Sequence, residues 1–269
     1  MPAPVIAVDT VAVRTDKSQG ERCPEASSLI EVFSSIQGEG PSVGCRQIFI
    51  RFPSCNLRCA YCDTPFLVTP SCQFEIVPGC GRFEAWENPV ALDRLLDRCR
   101  QWLAALPHAH QAFSITGGEP LLHGEILAHW LPRLRNLLPV HLETNGTLPE
   151  ALAPLIPWLD GVMMDVKLAS QTGVPTPWAT HEAFLRCAVQ TGCAVKMVVG
   201  RETTTQELEQ VGEMIARVAP QVPVILQPRT IDQRSSVPAT QLLTWQGVLS
   251  GYQLLVRVIP QTHCFLNAL

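Results

Sequence analysis

Three cysteines stand within eight residues, Cys55, Cys59 and Cys62, spaced C-x3-C-x2-C. Thiolates are soft ligands that suit iron–sulfur clusters and zinc. A loop with ligands this close can wrap one compact inorganic core. Three ligands would leave one iron of a four-iron cubane without a protein sulfur, and an open iron can bind a molecule as well as pass electrons. Structural zinc instead wants four closed ligands, usually as paired C-x2-C units. Cys72, Cys80 and His263 are available as a fourth, so zinc stays open as an alternative. The spacing and the aromatic Tyr61 before the last cysteine favour a [4Fe–4S] cluster.

Other polar groups cluster in short motifs. Thr116-Gly117-Gly118-Glu119-Pro120 carries two glycines, which let a backbone come close to a ligand. Glu119 and the neighbouring carbonyls suit an ammonium group. Ile36-Gln37-Gly38-Glu39-Gly40 is a polar, glycine-flanked loop. Arg51, four residues before Cys55, offers a fork for a carboxylate. Its bland reading is a structural ion pair. Glu143-Thr144-Asn145 ends a strand and falls at the rim of a site. The seven histidines form no tight ligand set in sequence, and most of the other eight cysteines read as small buried hydrophobes.

These motifs need a scaffold. Strands are expected at 47–52, 112–116, 140–144, 162–166, 194–199, 224–227 and 252–259. Helices are expected at 90–106, 124–137 (disturbed at Pro132), 181–191, 205–218 and 241–249. The threonine run before residue 205 is a helix cap. Strand–helix alternation implies an α/β protein with a parallel sheet and helices outside. Six to seven mostly parallel strands fit a partial (β/α) barrel better than a closed one of eight. Chemistry in such folds sits at the carboxyl ends of the strands. The cysteines follow the first strand, GGEP follows the second, ETNGT ends the third and DVK ends the fourth. Residues 1–27 read as a flexible tail and 28–269 as one catalytic domain. Residues 67–89, with prolines and two Gly–Cys pairs, read as an irregular insertion.

The bulk properties set limits. The chain has 269 residues, 46% of them hydrophobic and 16% charged, enough for a sizeable core. No unbroken apolar stretch reaches membrane-spanning length. The N-terminus lacks the basic start of a signal peptide, so a cytoplasmic protein is expected. A net charge of −4 gives no basic surplus for nucleic acid, which leaves small molecules as partners. Eleven cysteines, an odd number in a chain this long, point to a reducing compartment and not to disulfide staples.

The C-x3-C-x-aromatic-C arrangement resembles the signature of the radical S-adenosylmethionine superfamily, and GGEP resembles the motif there that holds the methionine amino group. In that family the open iron chelates S-adenosylmethionine, and one electron cleaves the sulfonium to a 5′-deoxyadenosyl radical. The order EVFSSIQGEG, GCRQIFIRFPSCNLRCAYCDT, TGGEPLLH and ETNGT, with Arg257 to His263 near the end, is similar to one family more closely, the 7-carboxy-7-deazaguanine synthases of queuosine biosynthesis. The likeness runs from about Glu31 to the C-terminus.

That resemblance implies a substrate, 6-carboxy-5,6,7,8-tetrahydropterin, whose ring contracts with loss of ammonia. It implies a lyase with one [4Fe–4S] cluster, S-adenosylmethionine and Mg²⁺ as cofactors. It also implies a flavodoxin- or ferredoxin-type reductant and a homodimer. By the same resemblance Ile36, Gln37, Gly38, Glu39, Arg51 and Thr116 would line the pterin site, with Arg51 on the substrate carboxylate. Thr64 would ligate Mg²⁺. Tyr61, Cys62, Asp63, Gly118, Asp165, Val166, Lys167 and Gln227 would contact S-adenosylmethionine. Ser54 departs from the pattern where a glycine is usual, and Cys264 where many relatives have lysine. The alternatives are another radical enzyme, such as an activase for a glycyl-radical partner, and a non-catalytic zinc or iron–sulfur module.

Overall fold

The structure is a computed structural model and describes residues 25–62, 64 and 67–268. Ten strands form one sheet: β1 (Glu31–Ile36), β2 (Arg46–Phe52), β3 (Ser71–Glu75), β4 (Phe83–Glu87), β5 (Ala112–Gly117), β6 (Val140–Thr144), β7 (Gly161–Asp165), β8 (Cys193–Val199), β9 (Val224–Pro228) and β10 (Val256–Val258). Their order across the sheet is β10-β9-β8-β7-β6-β5-β2-β1-β3-β4. The seven strands from β2 and β5 to β10 run parallel in consecutive order. This is the expected partial barrel. Most of these strands are nearly continuous apolar runs, as strands covered on both faces must be.

The long helices are α1 (Leu92–Ala105), α2 (Gly124–Arg135), α3 (Trp178–Ala188), α4 (Thr205–Val218) and α5 (Ala239–Ser250). Each buries an apolar stripe; α4, for example, buries Leu208, Val211, Met214 and Ile215. Its start is a full capping box. The Thr204 side chain accepts from Glu207 N, and the Glu207 carboxylate accepts from Thr204 N. Pro132 sits inside α2 without ending it. Bounds differ most at two places: α3 spans Trp178–Ala188, three residues earlier at each end than expected, and β10 spans only Val256–Val258.

Two corrections concern the flanks of the barrel. Residues 67–89 are not irregular. They contain the antiparallel hairpin β3–β4, whose Cys72, Phe74 and Trp86 belong to the core, with Phe74 and Trp86 stacked at 3.9 Å. The prolines punctuate this hairpin rather than break it, since Pro70, Pro78 and Pro89 all fall outside its strands. At the start of the chain, residues 1–24 lie outside the described residues. Ala26–Ser27 are already structured, paired antiparallel with Val90–Ala91. No helix among the described residues is long and apolar enough to cross a membrane.

Candidate active site

Strand register assembles the site. Arg51 on β2 is the Cα partner of Thr116 on β5, and Glu31 on β1 is the partner of Arg51 on the other side. Asp165 on β7 pairs with Lys196 on β8, and Val198 with Gln227 on β9. All six of the polar residues named here line one cavity of about 500 Å³ at the carboxyl ends of the strands. Of the residues singled out in the sequence, Ile36, Gln37, Gly38, Glu39, Arg51, Cys55, Cys59, Tyr61, Cys62, Thr64, Thr116, Gly118, Asp165, Lys167 and Gln227 line it. Val166 does not; it is buried and donates its N–H to Lys196 O. Asp63 lies outside the described residues.

The cysteine loop leaves β2 through a tight turn. Ser54 adopts φ 68°, which accounts for the glycine usual at this position. The loop lies directly on the GG pair. A Cβ on Gly117 would come 2.0 Å from Phe52 O, and one on Gly118 would come 2.0 Å from Ser54 O. Gly118 N–H donates to Phe52 O at 3.1 Å, and Glu119 N–H to Ser54 O at 2.8 Å. Glu119 itself corrects an expectation. Its carboxylate is wholly buried and accepts from Leu121 N, Thr144 Oγ1 and Asn145 N, so it braces the strand ends and does not face a ligand. Burial holds its pKa above the usual carboxylate range. Asn145 in turn donates to Asn56 Oδ1 at 2.8 Å and lies 3.8 Å from Cys55 Sγ.

The cavity floor is charged and tightly paired. Lys196 Nζ bonds Glu39 Oε2 and lies 3.5 Å from Asp165 Oδ2. Glu39 Oε1 also accepts from Gln227 Nε2 at 2.9 Å and Gln261 Nε2 at 3.3 Å. Burial pushes the Glu39 carboxyl up, but the Lys196 charge outweighs it and brings the pKa down to about 2. Lys167 Nζ bonds Asp165 Oδ2 at 2.8 Å and Tyr61 OH at 3.0 Å, and stands 5.3 Å from the Tyr61 ring centroid. Burial opposes the Lys167 charge, yet Asp165 and Tyr61 hold its pKa well above the ordinary lysine range. Gln37 donates to Glu143 Oε1 at 2.7 Å and accepts from Glu39 N. Glu143 also accepts from Ser114 and Thr116.

On the opposite wall Arg51 uses its Nε on Glu31 Oε1 at 2.7 Å. Its two terminal nitrogens make no hydrogen bond among the described residues, and the guanidinium stands 5.7 Å from the Phe33 ring centroid. The bland reading of Arg51 is therefore met in part, and the rest of the fork is available. Phe33 and Phe49, stacked at 5.0 Å and 8°, line the cavity beside it. The C-terminal segment closes the far side. Thr262 N–H donates to Gly38 O, and a Cβ on Gly38 would strike His263 Nδ1 at 2.1 Å.

The cysteine site fits an inorganic core. Cys55, Cys59 and Cys62 line the same cavity, and the Leu57 N–H points at Cys55 Sγ at 3.4 Å. Burial raises the Cys55 and Cys59 thiols, so thiolates here need a cation. Among the described residues, no three His, Cys, Asp or Glu side chains converge tightly enough to hold a single ion. A cubane takes each thiolate on a different iron and asks for no such convergence. Cys72 and Cys80 do not line the cavity, so they offer no fourth ligand; His263, the other candidate, does line it, packed against Gly38. Two residues that line it carry buried acceptors, Asp165 Oδ1 and Gln227 Oε1, with no hydrogen-bond partner among the described residues. The sequence reading passed over Lys196, Gln261 and Glu31. Lys196 did carry a signal, as the one charge in the apolar run CAVKMVV.

An α/β partial barrel with a three-cysteine loop at its mouth defines a class, and the comparisons agree. The model of the radical SAM superfamily matches residues 49–215, and the chain belongs to that superfamily. The 7-carboxy-7-deazaguanine synthase of Geobacter sulfurreducens is 44% identical over 246 residues, covering 90% of this chain and 98% of that one. The enzyme of the same name from Thermococcus kodakarensis is 30% identical, with the same coverage. Within the superfamily, the chain therefore belongs to the 7-carboxy-7-deazaguanine synthase family. The crystal structure of QueE from Escherichia coli shares the fold, with a TM-score of 0.55 at 22% identity, over 88% of this chain and 95% of that one.

Proposed function

We propose that the protein converts 6-carboxy-5,6,7,8-tetrahydropterin into 7-carboxy-7-deazaguanine with loss of ammonia, as a step of queuosine and related 7-deazapurine biosynthesis. One observation carries the reading: the three cysteines and the Arg51–Thr116–Gln37–Glu39 wall line a single cavity. When bound, a [4Fe–4S] cluster on Cys55, Cys59 and Cys62 with S-adenosylmethionine supplies the one-electron cleavage that begins hydrogen abstraction.

The chain's own residues position and shield. The free nitrogens of Arg51 take the substrate carboxylate. Thr116, Gln37 and Glu39 meet the polar edges of the bicycle, with Ile36 and Gly38 beside them. Phe33 and Phe49 offer an apolar wall to a flat ring. Tyr61, Asp63, Gly118, Asp165, Val166, Lys167 and Gln227 form the S-adenosylmethionine side. Val166 serves that side only indirectly, by tying the segment to β8 through its N–H on Lys196 O, since the residue itself is buried outside the cavity. Thr64 supplies an oxygen to Mg²⁺, which keeps few protein ligands and takes the rest from substrate and water. The exposed Cys62 places the cluster near the surface, where a flavodoxin- or ferredoxin-type reductant can dock. The protein works in the reducing cytoplasm and as a homodimer.

The test is direct. Anaerobically loaded protein is incubated with the carboxy-tetrahydropterin, S-adenosylmethionine, Mg²⁺ and a reductant, and the products are identified by mass. The expected pair is 7-carboxy-7-deazaguanine and 5′-deoxyadenosine, with turnover falling when Mg²⁺ is chelated. Formation of 5′-deoxyadenosine with no deazaguanine would keep the superfamily chemistry and sink the substrate. Turnover indifferent to Mg²⁺ would remove Thr64 from its role.

A further inference from the structure

We propose that Lys196 is a positioning residue for the substrate: it holds Glu39 as an ionised acceptor facing the cavity and ties it to the Asp165 segment. The inference rests on the pterin reading above and deepens it.

Lys196 sits where the sheet calls for an apolar side chain. Ala194 and Val198, which share its face of the strand, are buried, and its own side chain is only 10% exposed. Burying an ion pair in place of apolar residues seldom stabilises a fold, because desolvation offsets the attraction. The pair therefore needs another reason to be there. Register puts Lys196 beside Asp165, and its Nζ bridges from Glu39 to that carboxylate. The charged groups facing Lys196 are Glu39, Asp165 and Lys167; those facing Glu39 are Lys196 and His263.

The consequence concerns hydrogen bonds. A carboxylate has about four acceptor sites. Lys196, Gln227 and Gln261 occupy three on Glu39, which leaves one for a donor in the cavity. The guanidine-like edge of a pterin or deazaguanine presents N–H donors. Remove the Lys196 charge, and burial would push the Glu39 carboxyl up, so that it takes a proton more readily as pH falls and then sets a donor against a donor. Asp165 is less exposed to this loss, because Lys167 holds it at 2.8 Å against 3.5 Å for Lys196. The damage should fall on the substrate side.

The experiment is equilibrium binding of 7-carboxy-7-deazaguanine to the anaerobic, cluster-loaded protein, by calorimetry across roughly pH 5 to 8. Glu39 of the unmodified protein stays ionised over that range, so affinity should be flat. In Lys196→Met it should be weaker by about tenfold or more at neutral pH and weaker still as pH falls. Lys196→Arg should restore most of it. Affinity for S-adenosylmethionine should change by less than about threefold. Unchanged product affinity with a flat profile in Lys196→Met would overturn the proposal, and so would equal losses for both ligands. Should Lys196→Met not fold, the uncharged double variant Glu39→Gln/Lys196→Met takes its place. Compared with Glu39→Gln alone, it should bind the product equally well, and a further loss would show Lys196 acting independently of Glu39. If the unmodified protein neither binds nor makes the deazaguanine, the functional reading fails and not this inference.

Discussion

On the floor of the cavity each charge has a partner, brought there by a neighbouring strand or by a loop at a strand end. Glu39 accepts three side-chain donors, Lys196 lies between two carboxylates, and Lys167 bonds Asp165 and Tyr61. On the cysteine loop the functional atoms have far less. Cys62 is exposed, and among the described residues the hydrogen-bond contacts of Cys55 Sγ are the Leu57 N–H, Asn56 and the long contact from Asn145. The ion pairs of the floor form as the chain folds, and only single acceptors such as Asp165 Oδ1 and Gln227 Oε1 are left open among the described residues. The loop is held at its root, where Glu119 and Ser54 tie it to β5 and β6, and further on by Ala60 N–H to Thr172 O and Lys167 Nζ to Tyr61 OH, while its thiols wait for the group that will complete them.

The strongest way to break this contrast is Cys55→Ala. We expect bound iron and sulfide to fall close to zero and no 5′-deoxyadenosine to form. The preformed floor should still bind 7-carboxy-7-deazaguanine, within about threefold of the unmodified protein at the same pH. Loss of that binding together with the iron would mean that the two walls are not independent. The thiol shifts add a sign. Burial raises Cys55 and Cys59, so thiolates become scarcer as pH falls, and cluster loading should rise with pH through the alkaline side of neutral.

A smaller effect should follow at the root of the loop. Glu119→Ala leaves Leu121 N, Thr144 Oγ1 and Asn145 N without their acceptor in a wholly buried place. Unpaired buried donors cost about 1–3 kcal/mol each, reduced here by the desolvation that the carboxyl itself suffers. A net loss of about 3 kcal/mol would lower Tm by roughly 6–12 °C, read by thermal unfolding. Iron loading should weaken alongside, since Asn145 and the loop root move together. A variant that keeps its Tm but loses iron would recast Glu119 as a ligand-facing group.

The sequence made the parallel run legible because each strand is an apolar stretch closed by a polar motif; Val140–Thr144 and Thr205–Val218 fall where periodicity places them. β1 was not legible. Glu31–Ile36 mixes serines with apolar residues and pairs antiparallel with β2, a partner no local pattern names. The β3–β4 hairpin was hidden by prolines and glycines that mark its ends. The cysteine, IQGEG and GGEP motifs pointed to the site because they are contiguous in sequence. Lys196 and Gln261 reach Glu39 across 157 and 222 residues, and only the tertiary fold brings them together. The same limit explains Glu119, which sits in a ligand-like motif yet serves the strand ends.

The mildest probe is Ser54→Gly. A non-glycine residue in the left-handed region costs roughly 1–2 kcal/mol, and Ser54 stands there at φ 68°. Its hydroxyl has no hydrogen-bond partner among the described residues to offset that cost. Glycine relieves the strain but gives up about 0.5–1 kcal/mol of chain entropy. The difference favours the variant by about 0.5–1 kcal/mol, a rise in Tm of roughly 1–4 °C. The backbone bond from Glu119 N to Ser54 O does not depend on the side chain, so iron loading should be unchanged. A fall in Tm would mean that the serine stiffens the loop root more than it strains it. The cysteine loop would then be more preformed than its sparse contacts imply, and closer in kind to the floor.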